Sequence, residues 1–312
     1  MLGRAVAERL AAGEAGDVWS SELREVCAAC DAVVLNLECC VSPRGEPTRL
    51  IRDKPFFFRS PPSGVGALQA VGAAVASLAN NHALDFGPEA LADTLAELDA
   101  AGIAATGAGP DVEAARRGAL VKAGELRLGA LGLSDHPEEF AAGEGSPGIG
   151  YADLPRGLPE WAHQELARLR AEADLVLAFP HWGPNMTVRP DNGQRRLARE
   201  LIEAGADAVA GHSAHVFHGV ELLPGGPVVY DLGDALDDYA VDRELRNDLG
   251  ILALWRPRGR PTLELLGLSL DFCATRLADR SDADWIAARL ASACEELGTA
   301  VERTGEAHFA VA

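Results

Sequence analysis

Residues able to hold a cation or move a proton recur in this sequence at the ends of short apolar runs. Asn36 and Glu38 close DAVVLNLE, Asn80, Asn81 and His82 follow AAVASLA, His181 follows DLVLAFP, and His212 and His215 follow DAVAG. Imidazole and carboxylate together suit Zn, Mn, Fe and similar divalent ions, and the two oxygens of one carboxylate can bridge a pair of them. One histidine in such a place is ordinarily a satisfied structural residue, but four at strand ends point to a metal site.

The elements that must position these residues follow from the patterning. Short β-rich runs alternate with helical ones, the signature of a layered α/β fold. The runs at 31–38, 73–79, 174–180 and 207–211 are nearly continuous in apolar residues, which predicts central strands covered on both faces. At the carboxyl edge of such a sheet, residues distant in sequence converge. Helices are predicted at 88–102, with Pro88 in the first turn and Gly102 past the last, and at 192–205, closed by Gly205. Residues 119–133 read as a hairpin turning at Gly124-Glu125, and 227–233, 249–257 and 263–270 as antiparallel strands, which makes the sheet mixed. The stretch 135–160, rich in Gly, Pro and acidic residues, reads as a long surface loop, and 282–301 as a last helix followed by a loose tail after Glu302.

Bulk properties narrow the function. A chain of 312 residues with 48% hydrophobic and 24% charged residues buries a large core. The formal net charge of −19 argues against a nucleic-acid partner, whose phosphates are held by clustered Lys and Arg. The opening MLGRAVAERL has neither the apolar run nor the cleavage site of a signal peptide, and no stretch is long enough to span a bilayer, so a cytoplasmic location is expected. Cys27-x-x-Cys30 lacks a second pair for zinc and falls in an amphipathic helical pattern, which favours packing.

LNLE (35–38), SLANNHALDFG (77–87), GAG (107–109), HWG (181–183), AGADAVAGHSAHVFHGVE (204–221) and YDLGD (230–234) resemble, in this order, the motifs of the CapA family, named for poly-γ-glutamate capsule synthesis. The resemblance implies a calcineurin-like metallophosphoesterase fold, a layered sandwich of mixed sheets flanked by helices, over residues 1–275, with 276–312 as a C-terminal helix and tail packing on the same domain. It further implies that Glu38 bridges divalent ions of the Mn, Zn, Fe, Mg or Ca kind, that Asn81, His181 and His212 serve one ion, and that His215 serves the other. His82 is then the acid, and Asp85 either orients its ring or caps the following helix. Asp234 joins the catalytic set, and Arg4, His218 and Arg246 are candidates for substrate binding; Arg246 could instead pair with nearby carboxylates.

Three departures stand out. The family's Gly-Asp-x-x-Leu-Gly-Arg motif carries an Asp ligand at the end of a first strand, whereas this chain begins at Met1-Leu2-Gly3-Arg4; a truncated first strand and a native start upstream of Met1 are therefore expected. HWGPN lacks the acidic residue many relatives place after HWG. LGDALDDY adds Asp234, Asp237 and Asp238, of which the last two read as part of a solvated loop. The expected activity is hydrolysis of a phosphoester or a peptide or poly-glutamate-related substrate. The alternatives are a metal-dependent peptide epimerase of the lasso-peptide type and a non-catalytic capsule-assembly or binding protein. The partner is a small molecule or a peptide.

Overall fold

The computed structural model describes residues 1–13, 15–258 and 262–312. The first third forms α1 (Arg4–Ala12), α2 (Ser21–Ala28), β1 (Val33–Asn36), β2 (Cys40–Val41), β3 (Arg59–Ser60), α3 (Val65–Ala70), β4 (Ala73–Ser77), α4 (Gly87–Ala100) and β5 (Ala104–Thr106). The middle adds β6 (Ala108–Gly109), α5 (Val112–Arg116), β7 (Ala119–Ala123), β8 (Leu126–Ser134), β9 (Gly148–Ile149), α6 (Glu160–Glu172), β10 (Leu175–His181), α7 (Asn192–Glu203), β11 (Ala208–Ala210), β12 (Val220–Leu223) and β13 (Gly226–Val229). The last part contributes β14 (Leu249–Arg256), β15 (Thr262–Asp271), β16 (Ala274–Leu277), α8 (Arg280–Glu295), β17 (Val301–Arg303) and β18 (His308–Val311).

Three sheets carry the architecture. The first is all parallel in the order β1-β4-β5. The second, in the order β12-β13-β11-β10-β8-β7, is parallel from β13 through β8 and antiparallel at both ends. The third is antiparallel, β14-β15-β18-β17 with β16 also on β15. The first two sheets face each other through Val75, Ala119 and Ala130. They approach so closely that a Cβ on Gly132 of β8 would lie 2.6 Å from Ser77 Oγ on β4, so only glycine fits there. On the outer face of the second sheet, α6 and α7 bury Leu166, Leu169, Leu197 and Leu201 at essentially zero exposure. The start of α7 is fixed by a capping box, in which Asp191 accepts from the Gln194 amide and Gln194 returns the bond to the Asp191 amide.

The predicted hairpin at 119–133 is β7–β8, and the predicted helices at 88–102 and 192–205 are α4 and α7. Three expectations are corrected. The run at 31–38 is not central: β1 is the end strand of its sheet, and all four of its residues are half-exposed. The segment 135–160 is not a surface loop throughout, because β9 pairs with β6 and Phe140, Ile149 and Leu154 are buried. The tail after Glu302 is not loose: β18 lies between β15 and β17, with Phe309 buried against Leu265 and Ile286. Cys27 is buried in α2, and Cys30 lies just beyond the end of that helix. No helix among the described residues is long and apolar enough to cross a membrane.

Candidate metal centre

Parallel strands deliver their carboxyl ends to one edge, and four loops meet there. His181 ends β10 and His212 follows β11; the two residues bridge, with the His212 amide donating to Pro180 O (3.1 Å) and the Trp182 amide to His212 O (3.1 Å). Their rings meet with the two Nδ1 atoms 2.8 Å apart. Burial drives the His181 imidazole well below its ordinary range, with His212 beside it adding to the effect, and burial lowers His212 to about 3. Both are therefore neutral, with lone pairs to offer.

On the first sheet, a chain of amides fixes the loops after β1 and β4. Asn80 Nδ2 donates to Asn36 Oδ1 (2.9 Å) and to Leu37 O (2.9 Å), Asn36 Nδ2 donates to Glu38 Oε2 (2.9 Å), and the His82 amide donates to Asn80 Oδ1 (3.0 Å). Glu38 Oε1 then lies 3.9 Å from His82 Nε2. Asp85 accepts at 2.6 Å from His82 Nδ1 on the ring's far side, and its other partners are the Phe58 amide (2.6 Å) and the Lys54 ammonium (3.3 Å). The helix that follows, α4, has no side-chain cap, so Asp85 orients His82 rather than capping. The Phe58 ring covers His82 at 4.1 Å between centroids.

The loop after β11 carries strain. Ser213 (φ 128°) and His215 (φ 59°) occupy the left-handed region that favours glycine, a cost that persists where surrounding bonds hold the backbone. Here the Ala214 amide donates to Asp231 and the Met186 amide to Ala214 O. His215 Nδ1 lies 3.0 Å from Asp234. Burial disfavours the charge on His215, but Asp234, with Glu38 and Asp231 behind it, outweighs burial and lifts His215 to about 10. Burial also pushes Asp231 up to about 7, against the amides of Ala214 and Gly233 that bind its ionised form.

The acidic loop is buried rather than solvated. Burial, with the Asp234 charge beside it, pushes Asp237 well up, and Asp238 pairs with Arg4 at 2.9 Å. Arg4 also lies over the rings of Phe56, Phe58 and Tyr239 at the margin of the site. His218 is fully buried and faces Thr187, with Nε2 3.0 Å from the Thr187 carbonyl oxygen. Arg246 is engaged by Asp248 and Asp282. Glu38, His82, His181, His212, His215 and Asp234 are thus brought to one edge, whereas the side chains of His218 and Arg246 are held elsewhere.

Sequence reasoning missed two contributors. His136, bonded to Asp135, sets its ring 4.9 Å from that of His181. Lys54, only 7% exposed, donates to Asn81 O at 2.8 Å. His136 lies two residues past β8, and His181 ends its parallel neighbour β10, so placement at a strand end is a usable signal. Nothing in the sequence around Lys54 marks it.

Among the described residues, no three His, Cys, Asp or Glu side chains are gathered closely enough to hold an ion as they stand. The donors nevertheless fit one in kind. Glu38 Oε1, Asn81 Oδ1 and His212 Nε2 are buried without any hydrogen-bond partner, which is costly for polar atoms that meet nothing.

Residues 1–239 match the family described as Bacterial capsule synthesis protein PGA_cap. A "Probable polyglutamine synthesis accessory protein" of Mycobacterium tuberculosis is 35% identical over 272 residues, covering 83% of this chain and 71% of its own. The PGA biosynthesis protein CapA of Bacillus subtilis is 30% identical over 245 residues (78% and 62%), and the capsule biosynthesis protein CapA of Bacillus anthracis is 27% identical over 225 (70% and 53%). The chain belongs to the PGA_cap family of bacterial capsule synthesis proteins and has the metallophosphoesterase-like α/β fold of that family.

Proposed function

We propose that this chain is a divalent-metal-dependent hydrolase of the metallophosphoesterase kind, acting on a phosphoester or on a peptide or poly-glutamate-type substrate in the assembly of a capsule or a related polymer. The observation that carries the reading is the set of three buried donors without partners, Glu38 Oε1, Asn81 Oδ1 and His212 Nε2, contributed by three separate loops. In this reading Glu38, Asn81, His181, His212 and His215 hold the metal. The chemistry such an ion supplies when bound is the acidification of water and the neutralisation of charge on a phosphoryl or carbonyl oxygen. His82, oriented through Nδ1 by Asp85, presents Nε2 to the leaving group as a proton donor, and the cover of Phe58 keeps water from the ring. The capsule connection comes from the names of the relatives.

The test is metal analysis of the purified chain with hydrolysis of an aryl phosphate in Mn²⁺, Zn²⁺ or Mg²⁺. Turnover that disappears in His181→Ala and His212→Ala supports the reading; a chain that takes up no metal, in which both variants behave as wild type, sinks it. A second reading, peptide epimerisation, draws on the His–Asp pairs His82–Asp85 and His215–Asp234, which suit removal and return of a Cα proton. Deuterium entering a peptide from D₂O without hydrolysis would select it. Metal uptake with neither reaction would leave a binding protein.

A further inference from the structure

The strand order β11-β10-β8 sets His212, His181 and His136 in a row along the carboxyl edge of the second sheet. His181 bridges His212 on one side and is in register with Ser134, two residues before His136, on the other. The row runs from buried to open. His181 and His212 are 1% and 5% exposed, whereas the side chain of His136 is 33% exposed. The open ring is nevertheless held in place. The Asp135 amide donates to His181 O (3.1 Å), and Ser134 Oγ donates to His136 O (2.6 Å). One oxygen of the Asp135 carboxylate accepts from the Gly183 amide (2.9 Å), and the other faces His136 Nδ1. A carboxylate only accepts, so Nδ1 carries a proton and Nε2 is the edge left over. Nε2 makes no hydrogen bond among the described residues and is not buried. The chain around it is rich in acceptors: residues 134–152 include Asp135, Glu138, Glu139 and Glu144 and no Lys or Arg. Glu138 and Glu139 are exposed, while Lys54, which lies over the Phe140 ring, is engaged by Asp85 and Asn81 O.

We propose that His136 is a specificity-determining residue of the candidate site, whose Nε2 accepts a hydrogen bond from an amine on the substrate, and that Asp135 is its positioning residue. The inference rests on the proposed reading that an oxygen of the scissile group meets the metal centre beside His181 and His212. His136 is the next member of that row, its ring 4.9 Å from that of His181, so the part of the substrate flanking the scissile bond on the open side meets it. Chemistry selects a donor there. With Nδ1 committed to Asp135, Nε2 offers a lone pair, and the carboxylates of Glu138 and Glu139 that follow favour a positive charge and disfavour a second anion. An ammonium group satisfies both conditions and an alkyl group neither. A role limited to tying the loop down would not call for the open edge, because Asp135 already joins the loop after β8 to the loop after β10 through Gly183.

The experiment titrates the whole chain, loaded with Zn²⁺, with short aminoalkylphosphonates and with alkylphosphonates of matched length, followed by calorimetry; these mimic phosphoesters but are not hydrolysed. For at least one chain length the amine should bind about tenfold more tightly than its alkyl partner, the size of one charge-assisted hydrogen bond. His136→Asn keeps a donor for Asp135 but lacks the Nε2 edge, and it should bring the pair to equal affinity with Zn²⁺ uptake and melting temperature unchanged. In the wild type labelled with ¹⁵N-histidine, the His136 Nε2 resonance should shift with the amine and not with the alkyl partner, a readout that needs no substitution. Equal affinity for the two series in the wild type, a preference that survives in His136→Asn, or an Nε2 resonance indifferent to the amine would each overturn the proposal. Amine-selective binding without hydrolysis of any phosphoester would sink the proposed reaction and support this role of His136, and phosphoester hydrolysis without amine preference would do the reverse.

Discussion

Asp85→Asn tests the idea that one buried carboxylate holds both the orientation of His82 and the charge of Lys54. Asp85 is fully buried and Lys54 is 7% exposed, with Nζ 3.3 Å from Oδ1, so neither charge is compensated by solvent. At an effective dielectric constant of about 20, unit charges at that distance attract by about 5 kcal/mol. Much of that offsets the cost of having buried them, but removing one member leaves the other stranded, for which a loss of about 3–5 kcal/mol is typical. Asp85→Asn should therefore lower the urea-unfolding free energy by about 3–5 kcal/mol, whereas Asp85→Asn combined with Lys54→Met should recover at least about 2 kcal/mol of that loss. The measurement is a double-mutant cycle by equilibrium denaturation with unchanged m-values. Additive effects of the two substitutions, or a cost below about 1 kcal/mol for Asp85→Asn alone, would show that Lys54 and Asp85 do not depend on one another and would refute the reasoning.

Other outcomes are expected from the same geometry. His218 is buried, and burial lowers it to about 4 from 6.5, so its contribution is present above pH 6.5 and is lost as pH falls toward 4. Relative to His218→Gln, the wild type should lose about 2 kcal/mol between pH 7.5 and pH 5, read from urea curves at each pH; parallel curves would contradict this. Mn²⁺ at a hundred times its dissociation constant should raise stability by about 2.7 kcal/mol in the wild type, and Glu38→Gln should abolish the gain in a thermal-shift titration. Gly211→Ala would push a methyl group into Tyr230 O and the Trp182 indole, at a cost of about 1–3 kcal/mol by denaturation; wild-type stability would show that the loop yields easily.

How much of this was legible in the sequence depends on the kind of signal. Glu38, His181 and His212 were singled out because apolar runs ending in polar residues report strand ends, and parallel strands carry those ends to one edge. His136 obeys the same rule but went unnoticed, because a strand read as one arm of a hairpin hides its second, parallel neighbour. Lys54 reaches the site from an irregular segment, where no periodicity assigns a direction to a side chain. The burial of Asp237 and Asp238 was invisible for a related reason: an acidic run looks solvated until Arg4, 234 residues from Asp238 in the chain, is seen to lie against it. Strands β17 and β18 were missed because each is short and their stability comes from β15 rather than from their own composition.

The placement of β18 has a consequence for biosynthesis. β15 is complete at Asp271, yet the strand that lies against its Leu263–Leu266 stretch ends at Val311, 40 residues later. At about 5–20 residues per second, translation leaves that border bare for roughly 2–8 s. A message broken or a ribosome stalled in this interval would release a polypeptide with most of its helices and a sticky apolar ledge, a substrate for chaperones or for clumping with its own kind.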